Sequence, residues 1–102
     1  MCYNANMSLP KKFYDDLYEL LSSMENPSEA KNLCADLFTP AEIDSFAERW
    51  QEIQLLAKKL PQREVAKKLG ISISKVTRGS RMLQHGSGAF QYFLKKLGKT
   101  KE

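Results

Sequence analysis

The chain has 102 residues, 42% of them hydrophobic and 27% charged, with 5 glycines and 4 prolines. That is one domain's worth of ordinary globular sequence, which excludes a disordered or fibrous chain. Net charge is +4, but residues 1–50 carry 4 Lys/Arg against 9 Asp/Glu, whereas residues 51–102 carry 12 against 3. An acidic half beside a basic half suggests a polyanion-binding face, with a solvated Lys-rich surface as the plainer reading.

Met1–Met7 reads as a loose tail, and Met1–Pro10 has no apolar signal-peptide core. No apolar run approaches the roughly 18 residues needed to span a bilayer. Cys2 and Cys34 read as free thiols, so the expected location is a reducing cytoplasm. Ser8-Leu9-Pro10 opens a first helix, with Ser8 or a neighbour as cap. Phe13, Leu17, Leu20, Leu21 and Met24 follow at helical spacing. Asn26-Pro27-Ser28 breaks it, and the Ser28 hydroxyl is a cap for a second helix carrying Ala30, Leu33, Cys34 and Leu37. Thr39-Pro40-Ala41-Glu42 is a capping box around a first-turn proline. Ile43, Phe46, Ala47, Trp50, Ile53, Leu56, Ala57 and Leu60 then mark one broad apolar face, with Leu55 beside it. Pro61 ends this long helix or starts the next.

Gln62 to Leu69 forms a short helix stopped by Gly70, and a further helix runs from near Ser72 to about Leu83. His85-Gly86-Ser87-Gly88 is a break, and a last helix carries Phe90, Phe93, Leu94 and Leu97. The expectation is therefore an all-α chain of six helices. It divides into a tail over 1–7, a helical domain over 8–97 and a basic tail over 98–102.

The segment 62–83, QREVAKKLGISISKVTRGSRML, fits a helix-turn-helix. Val65, Ala66 and Leu69 give its first helix an inner face, Gly70 takes the turn, Ile71 plugs it, and Val76 anchors the second helix. Residues 58–81 carry eight Lys/Arg against Glu64 alone. The outward residues of the second helix are Ser74, Lys75, Thr77, Arg78 and Arg81, with Ile73 near its start. Lys and Arg bind phosphates or guanine edges, Ser and Thr donate to phosphates, and Ile73 can touch a thymine methyl. Gln62 and Arg63 open the first helix, where free amides favour phosphate, and Lys67 adds charge. Double-stranded DNA is the expected partner. An ordinary helix hairpin with solvated charges is the alternative.

Leu37-Phe38-Thr39-Pro40-Ala41-Glu42, Arg49, Gln62-Arg63-Glu64 and Thr77-Arg78-Gly79-Ser80 together resemble the Trp operon repressor family in order and spacing. The similarity runs from about Leu37 to Leu97; residues 1–36 match in helical character alone. The resemblance implies a six-helix subunit in an intertwined homodimer, acting as a repressor on operator DNA. It also implies L-tryptophan as corepressor and no other cofactor. Arg49 and Arg78 would flank the indole ring, Arg78 would reach the carboxylate, and Thr39 and the carbonyls near Leu37 would form the rim. Gly79 would leave room for the ring. Met82 stands where the family carries a serine that helps hold the ligand's ammonium group. Ala66 and Gln84 replace lysines expected to touch DNA. A regulator of the same kind with another effector, or none, is the alternative; a module that docks a protein partner is a third reading.

Other residues are read plainly. His85 is alone and suits a capping or solvent role. Trp50 belongs to the core or a dimer interface. Ser80 and Ser87 lack a nearby base, so neither catalytic residues nor an enzyme are expected. Glu42, Asp44 and Glu48 read as a solvated face rather than a metal site.

Overall fold

In the computed structural model, residues 7–99 are described and form six helices: α1 Lys11–Ser22, α2 Pro27–Leu37, α3 Pro40–Ala57, α4 Gln62–Leu69, α5 Ile73–His85 and α6 Ala89–Lys96. The outermost parts of the expected tails, residues 1–6 and 100–102, lie outside the described residues. The chain divides into two units, Met1–Ile43 and Asp44–Glu102. Among the described residues no helix is long and apolar enough to cross a membrane.

The first unit is built from locally encoded helices. α1 starts after Pro10, which makes no side-chain cap. The Ser8 cap is thus not used; instead Leu9 N–H donates to the Tyr14 hydroxyl at 2.7 Å. Met24 lies beyond the end of α1, not in it. The α2 cap is Asn26, not Ser28: the Asn26 side chain accepts from Glu29 N–H at 2.9 Å. Pro27 decides this. Its fixed φ suits the first helical position, so the extended residue before it becomes the cap and Ser28 falls inside the helix. The Thr39 box forms in both directions, with Glu42 N–H donating to Thr39 Oγ1 at 3.1 Å and Thr39 N–H to Glu42 Oε1 at 2.8 Å.

Neither α1 nor α2 buries a single residue. Phe13, Tyr18, Leu20 and Leu37 are exposed, although apolar positions recur along α1 at helical spacing.

The second unit has a small core to which each of its helices contributes one fully buried side chain. These are Ile53 from α3, Val65 from α4, Val76 from α5 and Leu94 from α6. α4 packs on α5, and Trp50 of α3 stacks on Phe90 of α6 with ring centroids 6.2 Å apart. Gln91 in α6 donates to the Leu83 carbonyl of α5.

α3 is shorter than its apolar pattern suggests: it stops at Ala57, and Leu60 lies outside it. Leu60 N–H returns to the Leu55 carbonyl and Lys59 N–H to Leu56, with Lys59 at φ 72°. That is a Schellman stop with lysine at the left-handed position. The same pair of bonds closes α4 around Gly70, where φ is 67°. A left-handed lysine costs about 1–2 kcal/mol that glycine avoids, partly offset by glycine's greater unfolded-state freedom. Lys59→Gly is therefore expected to raise stability by about 0.5–1 kcal/mol, read as a higher denaturation midpoint at unchanged slope.

α5 begins after Ser72, whose side chain accepts from Lys75 N–H at 3.2 Å. It runs to His85, two residues beyond Leu83, and Gly86 closes it by donating its N–H to the Met82 carbonyl at 2.9 Å.

Candidate nucleic-acid and effector site

α4, the Gly70 turn and α5 form the helix-turn-helix. Val65 and Val76 are completely buried, so the two helices meet through the residues that the pattern assigned to their inner faces. Thr77 Oγ1 donates to Gln62 Oε1 at 2.8 Å, a side-chain tie between the two helices. Both residues were candidates for DNA contact; here each already has a partner, which fixes the position of α5 relative to the start of α4.

Arg63, Lys67, Ile73, Ser74, Lys75, Thr77, Arg78 and Arg81 are all exposed, and Gln62 is half-buried. Ile73 is 49% exposed, a large apolar side chain facing solvent at the start of α5. Ser74, Lys75, Arg78 and Arg81 recur along one helix at spacings that spread them over neighbouring turns. Basic and hydroxyl side chains on an exposed helix are what groove and phosphate contacts require.

Beside α5 lies a cavity of about 230 Å³, lined by Ser45, Glu48, Arg49 and Glu52 of α3, by Lys75, Arg78, Gly79 and Met82 of α5, and by Phe90 of α6. Four of the residues assigned to the effector by resemblance thus come together: Arg49, Arg78, Gly79 and Met82. Leu37 and Thr39 belong to the first unit, where Leu37 ends α2 and Thr39 caps α3. Arg49 also reaches the Phe46 ring, with its guanidinium carbon 5.9 Å from the centroid. Lys75 Nζ pairs with Glu48 Oε1 at 3.2 Å, joining the candidate reading helix to α3.

A side chain at Gly79 would meet a neighbour at once. A Cβ at Gly79 would lie 2.9 Å from Glu52 Oε1, and 3.8 Å from both Ile53 Cδ1 and Leu56 Cδ1. The Glu52 carboxylate occupies the space directly against the Gly79 backbone, while the rest of the cavity that Gly79 lines stays open. Glu52 is only 3% exposed, and its side chain, whose oxygens keep access to the cavity, makes no hydrogen bond or ion pair among the described residues. Burial pushes its carboxyl above the ordinary range and Glu48 adds to the rise, while Arg49 and Lys75 oppose it. Sequence reasoning missed Glu52, although it sits next to Ile53 on the buried side of the long helix. An acid beside the deepest apolar position was the available signal.

A raised carboxyl pKa means that the folded chain holds this proton more tightly than the unfolded chain. Stability then falls as pH rises from the unfolded value through the folded one. Glu52→Gln removes that loss. We expect it to stabilise the protein at neutral pH. The gain should vanish as pH falls towards the ordinary glutamate value of 4.5. Denaturation midpoints across that range check it.

Comparison with known proteins identifies the family and the fold. The family model described as Trp repressor protein matches residues 12–98. A Trp operon repressor homolog of Chlamydia caviae is 39% identical over 87 residues, covering 84% of this chain and 86% of that protein. One from Mannheimia succiniciproducens is 38% identical over 97 residues, covering 94% and 92%. The crystal structure of a TrpR-like protein from Eubacterium eligens superposes with a TM-score of 0.84 at 23% identity, over 92% of this chain and 97% of that one, and so shares the fold. With the family model and relatives above 30% identity spanning most of its length, this chain belongs to the Trp repressor family of helical DNA-binding regulators.

Proposed function

We propose that the protein is a homodimeric, cytoplasmic repressor, not an enzyme. It binds operator duplex through α5, and an amino-acid corepressor, with L-tryptophan the first candidate, sets its affinity. One observation carries the reading: α5 exposes Ser74, Lys75, Arg78 and Arg81, while Lys75, Arg78, Gly79 and Met82 of the same helix line the cavity. A ligand in that cavity touches the reading helix directly. If it fits the DNA-ready position of α5 better than other positions, it shifts the population towards binding.

The dimer is supported by what the chain leaves uncovered. Two helices with no buried residue and exposed Phe13, Leu20, Phe46, Tyr92, Phe93 and Leu97 are too much apolar surface for a lone chain of this size. The cavity supports the effector. Two guanidinium groups suit a carboxylate, and Phe90 and the Met82 thioether supply apolar walls.

The test is calorimetric titration with L-tryptophan, using tyrosine and indole as controls, beside a duplex shift assay. Saturable binding at one site per chain, lost in Arg49→Ala and Arg78→Ala, supports tryptophan gating. No heat, with duplex binding intact, favours a different effector or none; the carboxylate over Gly79 is the observation on that side.

A further inference from the structure

We propose that Glu52 selects the effector by accepting its cationic amino group, so that the cavity recognises a zwitterion rather than a simple carboxylic acid. The inference rests on the reading of the cavity as an amino-acid site.

Three observations point the same way. Glu52 lines the cavity and is almost wholly buried, yet no side chain or backbone group among the described residues bonds to its carboxylate. Its oxygens are not sealed in but keep access to the cavity, so a cationic group on a ligand there can reach them and bond to an acceptor that the protein leaves unbonded. The second observation is the charge around it. Glu48 is already paired with Lys75, whereas Arg49 and Arg78 line the same cavity without an ion pair among the described residues. Among the described residues the cavity therefore presents two guanidinium groups without an ion pair, Arg49 resting near the Phe46 ring, and one carboxylate without a hydrogen bond. That set matches an α-amino acid, whose carboxylate and ammonium lie a few ångströms apart on one carbon. The third is the absence of another acceptor on the α5 side, where Met82 lines the cavity with a thioether that accepts hydrogen bonds only weakly.

Gly79 makes this arrangement possible. Any side chain there would meet Glu52 Oε1 at 2.9 Å, so glycine lets the carboxylate rest against the α5 backbone and face the cavity. Glu52 is thereby tied to the helix that the effector must hold in place. A ligand whose ammonium group donates to Glu52 while its carboxylate accepts from Arg49 and Arg78 would join α3 to α5 through the ligand itself.

The experiment compares matched ligands with and without the amino group. L-tryptophan against indole-3-propionate, and L-phenylalanine against 3-phenylpropionate, are titrated by calorimetry into the full-length protein and into Glu52→Gln. Glutamine keeps the shape and removes the charge, and the variant is expected to be the more stable of the two proteins. In the wild type the amino acid of at least one pair should bind tenfold or more tighter than its des-amino partner, about the effect of one charge-assisted hydrogen bond. In Glu52→Gln that ratio should fall towards one, chiefly through loss of amino-acid affinity. Equal affinities within each pair in the wild type, or a ratio unchanged by Glu52→Gln, overturn the role of Glu52 while leaving the amino-acid site standing. No saturable binding by any of the four, with duplex binding intact, overturns the amino-acid reading and this inference with it.

Discussion

Replacing Lys75 and Arg78 together by alanine should lower duplex affinity at least a hundredfold at moderate salt. Both side chains are exposed on α5, in the helix-turn-helix whose inner residues Val65 and Val76 are fully buried. The double substitution leaves that core untouched, so the fold should persist. Each lost base-edge or phosphate contact costs about 1–3 kcal/mol, and a dimer loses every contact twice. The salt dependence separates this from a general loss of fit. Each phosphate neutralised contributes about 0.9 to the slope of log affinity against log salt, so the slope should flatten by roughly 3 to 4 per dimer. Lys75→Ala alone also frees Glu48 from its ion pair and leaves a carboxylate near the duplex. It should therefore lose more than a neutral contact would. An unchanged affinity and slope would remove α5 as the reading helix.

The second large effect concerns α1. Phe13→Asp with Leu20→Asp should convert a dimer into a poorly folded monomer at micromolar concentration. Phe13 is 57% and Leu20 39% exposed in the single chain, and α1 buries nothing there. If a second chain covers them, the exposed half of each contributes about 0.7–1.5 kcal/mol of burial, in both protomers. The sum of about 3–6 kcal/mol per dimer is roughly two to four decades in the dimer dissociation constant. Sedimentation equilibrium reads the mass, and a thermal midpoint that depends on concentration in the wild type reads the coupling of folding to association. A wild type that sediments as a monomer, with a midpoint unmoved by the two aspartates, would show that this face has no partner.

Local rules made most of this fold legible. The Thr39 box, the Ser72 start of α5, the Gly70 stop and the buried pair Val65 and Val76 each depend on a few residues in sequence, and each is where the pattern placed it. Where two local signals competed, the reading slipped: Asn26 and Ser28 are both good caps, and the proline between them decided. Leu60 extended the apolar face of α3 by periodicity, but the chain turns at Lys59 through a conformation that lysine rarely adopts. Glu52 was hidden for a different reason. Its burial depends on Gly79, twenty-seven positions away, and only packing of α3 against α5 brings the two together. Arg49, Arg78 and Gly79 were found through the resemblance, not through spacing, because no periodic pattern marks a cavity.

Lys75 and Arg78 stand both on the exposed face of α5 and in the wall of the cavity. A lineage drifting towards a new operator must change residues on α5, and some of those changes would alter what the cavity accepts. A lineage acquiring a new effector meets the reverse constraint. On the proposed reading the two specificities are inherited together, and substitutions at Lys75 or Arg78 should show strong epistasis with substitutions at Glu48 and Glu52. Among descendants of one ancestor, change of operator and change of signal should tend to occur on the same branches.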